Sequence, residues 1–119
     1  SITLDVEFDF DSAKSRPAHS VEVKKVANFM RQYPLSAVTF EGHTDSMGAA
    51  DYNQRLSEQR AASIAKLLIE EFKVDASRVR SFGYGEAKPV ATNDDKAGRQ
   101  SNRRVVAVVA AVNKTDDNQ

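Results

Sequence analysis

Apolar and polar residues alternate strictly at the start of the chain. Ile2, Leu4, Val6, Phe8 and Phe10 are each followed by a polar residue. A period of two predicts a β-strand with one buried face and one solvated face. Because only one face of such a sheet needs to be covered, the pattern favours an α+β arrangement over a doubly wound fold.

Two longer segments repeat apolar residues with the period of an α-helix. The first begins near Pro17, which suits a first helical turn, and Pro34 stops it. The second runs from about Asp51 to Phe72, and its apolar stripe predicts a face that packs on the sheet. His19, in the first turn of the first helix, is predicted to lie on the surface rather than to bind a ligand.

Three further strands complete the predicted order β-α-β-α-β-β. They cover residues 37–41, about 79–82, and the apolar run 105–112, which is predicted to be a central strand. The polar segment 93–102 is predicted to be a loop with some helical character. The fold class is therefore predicted as α+β, a two-layer α/β sandwich in which two long helices cover one face of a four-stranded mixed sheet.

Length and charge indicate one domain without a strong electrostatic partner. The 119 residues carry 17 Lys and Arg against 17 Asp and Glu, so the chain has no excess charge that would favour nucleic acid. Residues 1–112 are predicted to form the domain and residues 113–119 a flexible tail. The chain starts directly at a strand, which suggests a fragment of a longer protein. No apolar run is long enough to span a membrane, and the absence of cysteine excludes disulfides.

One charged residue lies on the apolar stripe of the second helix. At about 100° per residue, Arg60 falls on the same stripe as Leu56, Ile64 and Leu68. A guanidinium beneath a helix keeps its charge and needs a carboxylate partner. Asp45, in the turn between a strand and this helix, is the nearest candidate. Two interpretations stay open, a structural ion pair and a ligand site at a strand–helix junction.

Patterns typical of catalysis or metal binding are weak. His43, Asp45 and Ser46 are neighbours in sequence, which rarely satisfies the geometry of a triad, and no nucleophile elbow is present. Two histidines without cysteine argue against zinc. His43 is predicted to be a packed or loop-bracing residue. The sequence therefore predicts no enzyme, no cofactor and no metal.

The segment from Gly42 to Ala61 carries a specific resemblance. It contains GHTDSMG, then YN and LSEQRA, and the chain adds FDS at 10–12, GYGE at 83–86 and NRRV at 102–105. Over nearly the whole chain this pattern resembles the OmpA-like C-terminal domain family, and most closely the periplasmic domains of OprF-type outer-membrane porins. The resemblance implies a periplasmic module of a Gram-negative outer-membrane protein. It also implies non-covalent binding of peptidoglycan at the diaminopimelate residue of the stem peptide, which anchors the outer membrane to the cell wall.

The resemblance implies which residues bind. The aspartate and arginine that grip diaminopimelate in the family correspond to Asp45 and Arg60. Only one of Arg103 and Arg104 can face the site, and the resemblance favours Arg103. Four further residues are implied around the ligand, and these are Asn53, Thr44, Asp11 and Arg103.

Other functions stay open beside this one. A periplasmic protein–protein interaction module, a stator-type anchoring module and a wall-degrading enzyme are the alternatives. A homodimer is an open expectation. So is the kind of missing amino-terminal part, which could be a β-barrel, a lipid anchor or a membrane helix.

Overall fold

A four-stranded sheet covered by helices forms the described part of the chain, residues 2–110 of a computed structural model. The last residues of the predicted final strand and the predicted tail 113–119 lie outside the described residues. A single 3₁₀ turn, Ala76–Arg78, leads into the third strand. The elements follow in the order β1 (Ile2–Glu7), α1 (Pro17–Gln32), β2 (Ala37–Gly42), α2 (Ala50–Glu70), β3 (Val79–Gly83), α3 (Lys96–Asn102) and β4 (Arg104–Ala110).

The sheet is mixed, with the strand order β1-β4-β2-β3. β4 pairs antiparallel with both β1 and β2, whereas β2 pairs parallel with β3. The predicted central position of β4 is therefore confirmed. Along β2, Val38, Phe40 and Gly42 are buried while the alternate residues are not, which is the pattern of a sheet covered on one face. The predicted α+β class and mixed sheet are confirmed, and the polar segment before β4 forms the short third helix.

The core lies between the sheet and the two long helices, which pack against each other and on the strands. Its apolar side chains follow the stripes expected from the sequence, since Met30 on α1 and Ile64 and Leu68 on α2 are fully buried. Phe8 and Phe40 contribute the largest apolar side chains from the sheet layer. Burial of such side chains from both layers is the main favourable term in folding.

The first strand is shorter than its alternation predicts. β1 ends at Glu7, although Phe8 is still buried and its N–H donates to the Arg103 carbonyl oxygen at 2.8 Å. Asp11 then adopts a left-handed conformation with φ of 57°, and the chain turns away from the sheet. Phe10 is consequently 59% exposed. The prediction that Phe10 belongs to the buried face of this strand is wrong.

The surface position predicted for His19 is also wrong, because its side chain is buried. Its Nδ1 accepts from the Arg16 N–H at 3.1 Å, so its Nε2 donates to the Glu7 carbonyl oxygen at 2.9 Å. The ring lies 4.8 Å from the Phe8 ring, and burial lowers the pKa of the imidazole. The sequence did carry a signal, since His19 lies four residues before the buried Val23 on the apolar stripe.

Two strands approach α2 too closely for side chains. A Cβ at Gly42 would lie 2.0 Å from the Ser57 carbonyl oxygen, and a Cβ at Gly83 would lie 2.3 Å from the Ser57 Oγ. Neither position has room for a methyl group unless the helix moves. These glycines therefore set how closely α2 docks over the ends of β2 and β3.

We expect Gly42→Ala to lower the free energy of unfolding by about 1–3 kcal/mol, because the added methyl group meets helix backbone that cannot give way cheaply. Urea denaturation measures the loss. Thr39→Ala, at an incompletely buried position of the same strand, is the control and should change stability by less than about 0.5 kcal/mol. Equal, small effects of the two substitutions would contradict the close docking of α2.

Candidate functional site

Four chain segments converge at one end of the sheet. Glu7 at the end of β1 pairs with Arg104 at the start of β4, and Gly42 at the end of β2 lies between Val105 and Gly83. The carboxyl ends of β1, β2 and β3 therefore lie beside the amino end of β4. The loops that leave these ends, together with the start of α2 and the end of α3, form the candidate site.

A fully buried guanidinium holds two of these loops together. Arg60 Nε donates to the Ser12 carbonyl oxygen at 2.8 Å and its Nη2 to that of Asp9 at 3.0 Å. Its Nη1 donates to the carbonyl oxygen of His43 at 2.9 Å. The guanidinium also lies over the Phe8 ring, 5.4 Å from the ring centroid. Arg60 thus ties the loop after β1 to the loop after β2.

The prediction that Asp45 is the carboxylate partner of Arg60 is wrong. No ion pair within 4 Å joins the described side chains of Arg60 and Asp45, because backbone carbonyls take the guanidinium instead. Burial and the positive charge of Arg103 lower the pKa of Arg60 to about 10, while the charges of Asp45 and Asp11 oppose that shift. Arg60 therefore remains charged at neutral pH.

Asp45 is instead paired with Arg103. The Asp45 carboxylate, only 4% exposed, accepts from Arg103 Nη1 at 2.9 Å through Oδ2 and from the Met47 N–H at 2.9 Å through Oδ1. Arg103 is fixed in turn, since its Nε donates to the Phe8 carbonyl oxygen at 2.9 Å and its Nη2 to Gln100 Oε1 at 2.5 Å. The pair joins the loop after β2 to the junction between α3 and β4.

Thr44 and Asn53 are buried and brace the loop that carries Asp45. Thr44 Oγ1 donates to the Asp45 carbonyl oxygen at 2.8 Å. Asn53 Nδ2, in the first turns of α2, donates to the Met47 carbonyl oxygen at 3.0 Å and to Glu86 Oε1 at 2.8 Å. Both side chains therefore act on the position of Asp45.

Asp11, Arg103 and Arg104 contact different parts of the site. The Tyr52 hydroxyl donates to Asp11 Oδ1, and this hydrogen bond raises the pKa of the tyrosine. Asp11 thus lies at the start of α2, within the loop that Arg60 holds. Arg104 turns away from Asp45, and its Nη2 donates to the Lys88 carbonyl oxygen at 2.9 Å. The structure brings Arg103, not Arg104, to Asp45.

Sequence reasoning missed three side chains that support the site. Asn102 is fully buried, and its amide accepts from the Val90 N–H at 2.8 Å and donates to Asn93 Oδ1 at 2.9 Å. Asn93 Oδ1 also accepts from the N–H of Ser46, next to Asp45, at 3.2 Å. Gln100, noted above, orients Arg103. No periodicity marks these residues. The sequence does carry a signal for two of them, since Gln100 and Asn102 lie within three residues of Arg103 and Asn102 begins the NRRV segment.

His43 is packed, as predicted. Its ring stacks on Tyr84 with centroids 5.6 Å apart, and its Nδ1 is buried without a hydrogen-bond partner among the described residues. Burial, followed by the charges of Arg104 and Lys88, lowers the pKa of His43 to about 4. Its imidazole is therefore neutral at pH 7.

Neither a metal site nor a membrane-spanning helix has a candidate in residues 2–110. Their His, Asp and Glu side chains form no group of three or more that could hold a metal ion. Within the same range, no helix combines the length and the apolar character that crossing a bilayer requires.

Comparison with known proteins identifies the family. Residues 7–103 match the sequence model of the OmpA family. The chain belongs to the OmpA family. It is 48% identical over 110 residues to outer membrane porin F of Pseudomonas aeruginosa, a match that covers 92% of this chain and 31% of the porin. The chain thus spans about a third of that relative's length.

Solved structures of similar proteins share the fold. The peptidoglycan-associated lipoprotein of Burkholderia pseudomallei superposes with a TM-score of 0.82 at 28% identity, over 88% of each chain. The cell wall anchor of the type VI secretion system of Pseudomonas aeruginosa gives a TM-score of 0.73 at 32% identity, over 89% of this chain and 75% of its own. The OmpA-family fold of the described residues is therefore supported by structure as well as by sequence.

We expect Arg60→Lys to lower the free energy of unfolding by about 2–4 kcal/mol, although it keeps the charge. A lysine ammonium cannot reach three carbonyl oxygens in the geometry of the guanidinium fork, so buried acceptors lose their donors. Urea denaturation measures the change. Arg55→Lys, at an exposed position of the same helix, should change stability by less than about 0.5 kcal/mol. Equal stability of both variants would refute the organising role of Arg60.

Stability should fall as the pH decreases from 6.5 to 4, in part because of His43. Since the pKa of His43 is lower in the folded chain than the usual 6.5, the unfolded chain binds the proton first. The contribution of His43 is complete above pH 6.5 and decreases by about 3 kcal/mol at most on approaching pH 4. Urea denaturation at several pH values should show a smaller slope for His43→Gln than for the native chain. Identical slopes would rule this contribution out.

Proposed function

We propose that this domain binds peptidoglycan without covalent chemistry, through the diaminopimelate residue of the stem peptide, as a periplasmic module of an outer-membrane protein. The observation that carries the proposal is the nearly buried Asp45 carboxylate, which lies with Arg60 and Arg103 where the strand ends meet. Two similar structures support it by name, since one is peptidoglycan-associated and the other is a cell wall anchor.

The charges at the site suit a zwitterion. Diaminopimelate ends in an ammonium and a carboxylate on one carbon, so it needs an acceptor and a donor side by side. In the proposal, Asp45 accepts from the ammonium, and Arg60 donates to the carboxylate through its planar fork. The first turn of α2 adds a favourable field for the carboxylate, because its N-cap residue Ala49 makes no side-chain cap.

Arg60 has both a structural and a binding role in this proposal. Three of the five N–H groups of a guanidinium donate to the carbonyl oxygens described above, which leaves two for a carboxylate. Arg60 is fully buried in the free domain, so a ligand reaches it by displacing neighbouring side chains such as the half-exposed Tyr52. Its remaining donors then meet the ligand in a site of low dielectric constant, where charge-assisted bonds are strong.

The other predicted residues complete the arrangement. Arg103 orients the Asp45 carboxylate before the ligand arrives, and it shares the carboxylate with the incoming ammonium. Asp11 adds a second negative charge near Arg60. Thr44 and Asn53 fix the loop. Two acidic and two basic side chains thus match a ligand that is itself neutral overall.

The proposed binding is weak for a single domain and strong for many domains that bind the same wall. Each charge-assisted hydrogen bond contributes roughly 1.5–3 kcal/mol, and much of this is offset by desolvation and lost freedom. Affinity at one site is therefore expected to be micromolar or weaker. Because the wall repeats its stem peptides, many domains on one membrane add their binding by avidity. Anchoring of the outer membrane to the wall is our proposal for the longer protein that contains this domain.

We expect Asp45→Asn to reduce binding to purified diaminopimelate-type walls at least about tenfold, because it removes the charge that pairs with the ammonium. The amide can still accept from the Met47 N–H, so we expect the melting temperature to fall by no more than about 5 °C. Co-sedimentation with walls, competed by free diaminopimelate, measures binding. Asp94→Asn, at an exposed position, is the matched control and should bind like the native chain.

Two further variants test the site in the same assay. Arg103→Ala should weaken wall binding, whereas Arg104→Ala should leave it nearly unchanged, because only Arg103 contacts Asp45. The reverse order would contradict the assignment. Full wall binding by Asp45→Asn would refute the proposed site, and release of soluble muropeptides by the native domain would refute binding without chemistry.

A further inference from the structure

A groove of about 510 Å³ begins beside the Asp45–Arg103 pair and extends along α3. Two of its lining residues contact Asp45 directly, since Arg103 pairs with the carboxylate and the Met47 N–H donates to it. The groove is therefore continuous with the proposed diaminopimelate site. It is lined by the apolar side chains of Phe10, Met47 and Ala97 and by the cationic side chains of Lys96, Arg99 and Arg103.

The apolar wall of the groove is made of side chains that the core does not use. Phe10 is 59% exposed and Met47 is 50% exposed. Phe10 occupies this position because β1 ends early and the chain turns at Asp11. Exposed apolar side chains grouped beside polar ones are typical of ligand-binding surfaces.

The groove is lined by three cationic side chains, and that of Lys96 has no partner among the described residues. No carboxylate is among its lining residues. Arg103 is held by Asp45 and Gln100, and Arg99 Nη1 donates to the Asn93 carbonyl oxygen at 2.9 Å. The side chain of Lys96 is exposed and makes no hydrogen bond or ion pair with any described residue. A ligand that combines an anionic group with a small apolar group would complement this surface.

We propose that the groove binds the D-alanine residue that follows diaminopimelate in the stem peptide. Its methyl group packs against Phe10 and Met47, and its free carboxylate pairs with Lys96. The proposal rests on the function proposed above. D-Alanine is bonded to the other α-carbon of diaminopimelate, four carbon–carbon bonds from the ammonium and carboxylate at Asp45, so its Cα lies at most about 9 Å from that end of the ligand, along the groove. D-Alanine carries a methyl group and a carboxylate on one carbon, which is the combination that the groove presents.

Two soluble peptides test the proposal on the native domain. One is L-alanyl-γ-D-glutamyl-diaminopimelate, and the other is the same peptide extended by D-alanine. We expect the extended peptide to bind about fivefold more tightly in isothermal titration, because it adds a buried methyl group and a partly exposed ion pair. Both peptides carry the same net charge, so a general attraction to the protein cannot produce the difference.

Lys96→Gln is the variant that tests the ion pair. It should reduce the preference for the extended peptide to about twofold and leave the affinity for the shorter peptide within about twofold of the native value. Lys24→Gln, at an exposed position of α1, removes the same charge away from the groove and should retain the native preference.

Each other outcome overturns the proposal in a distinguishable way. Equal affinity of the native domain for the two peptides would refute the binding of D-alanine in the groove and would not contradict the proposed diaminopimelate site. Binding of neither peptide would refute the proposed function and the groove together. If Lys96→Gln weakened both peptides equally, and amidation of the D-glutamate α-carboxylate abolished that effect, the groove would bind the residue before diaminopimelate and not the one after it.

Discussion

The buried guanidinium of Arg60 is the interaction on which the rest of the site depends. It remains charged at neutral pH, so the fold must surround it with acceptors. The acceptors are backbone carbonyls of two loops, and the loops are thereby fixed against each other. Because carbonyls take Arg60, the carboxylate of Asp45 is left to pair with Arg103.

The pattern of the sequence predicts most of the fold and part of the site. Periodicity indicates both long helices and the central strand, and the angular position of Arg60 on its helix marks it as buried. The partner of Arg60 could not be predicted, because backbone carbonyls leave no trace in a sequence. The predicted positions of Phe10 and His19 are wrong for a related reason. The exposure of Phe10 depends on a left-handed turn at Asp11, and the burial of His19 depends on a hydrogen bond to the backbone of β1.

The site combines a buried part and an exposed part, which differ in dielectric environment and in side-chain freedom. Asp45 and Arg60 are almost fully buried, so their hydrogen bonds are made in a low dielectric and tolerate little change in geometry. The groove beside them is open and contains long side chains such as Met47 and Lys96, which adjust to their partner at little cost. In the proposed function, the buried part therefore distinguishes one amino acid from another, and the groove binds the residue attached to it.

The central place of β4 bears on how the domain is assembled. β1 emerges first from the ribosome, yet its hydrogen-bonding neighbour in the sheet is the last described strand. Contacts between such distant parts of a chain form late and slowly. Arg103 arrives together with β4, so the partner of Asp45 is missing until the sheet can close. A chain that is still being made therefore lacks the Asp45–Arg103 pair, and a domain that loses β4 by proteolysis loses part of its core and this pair in one event.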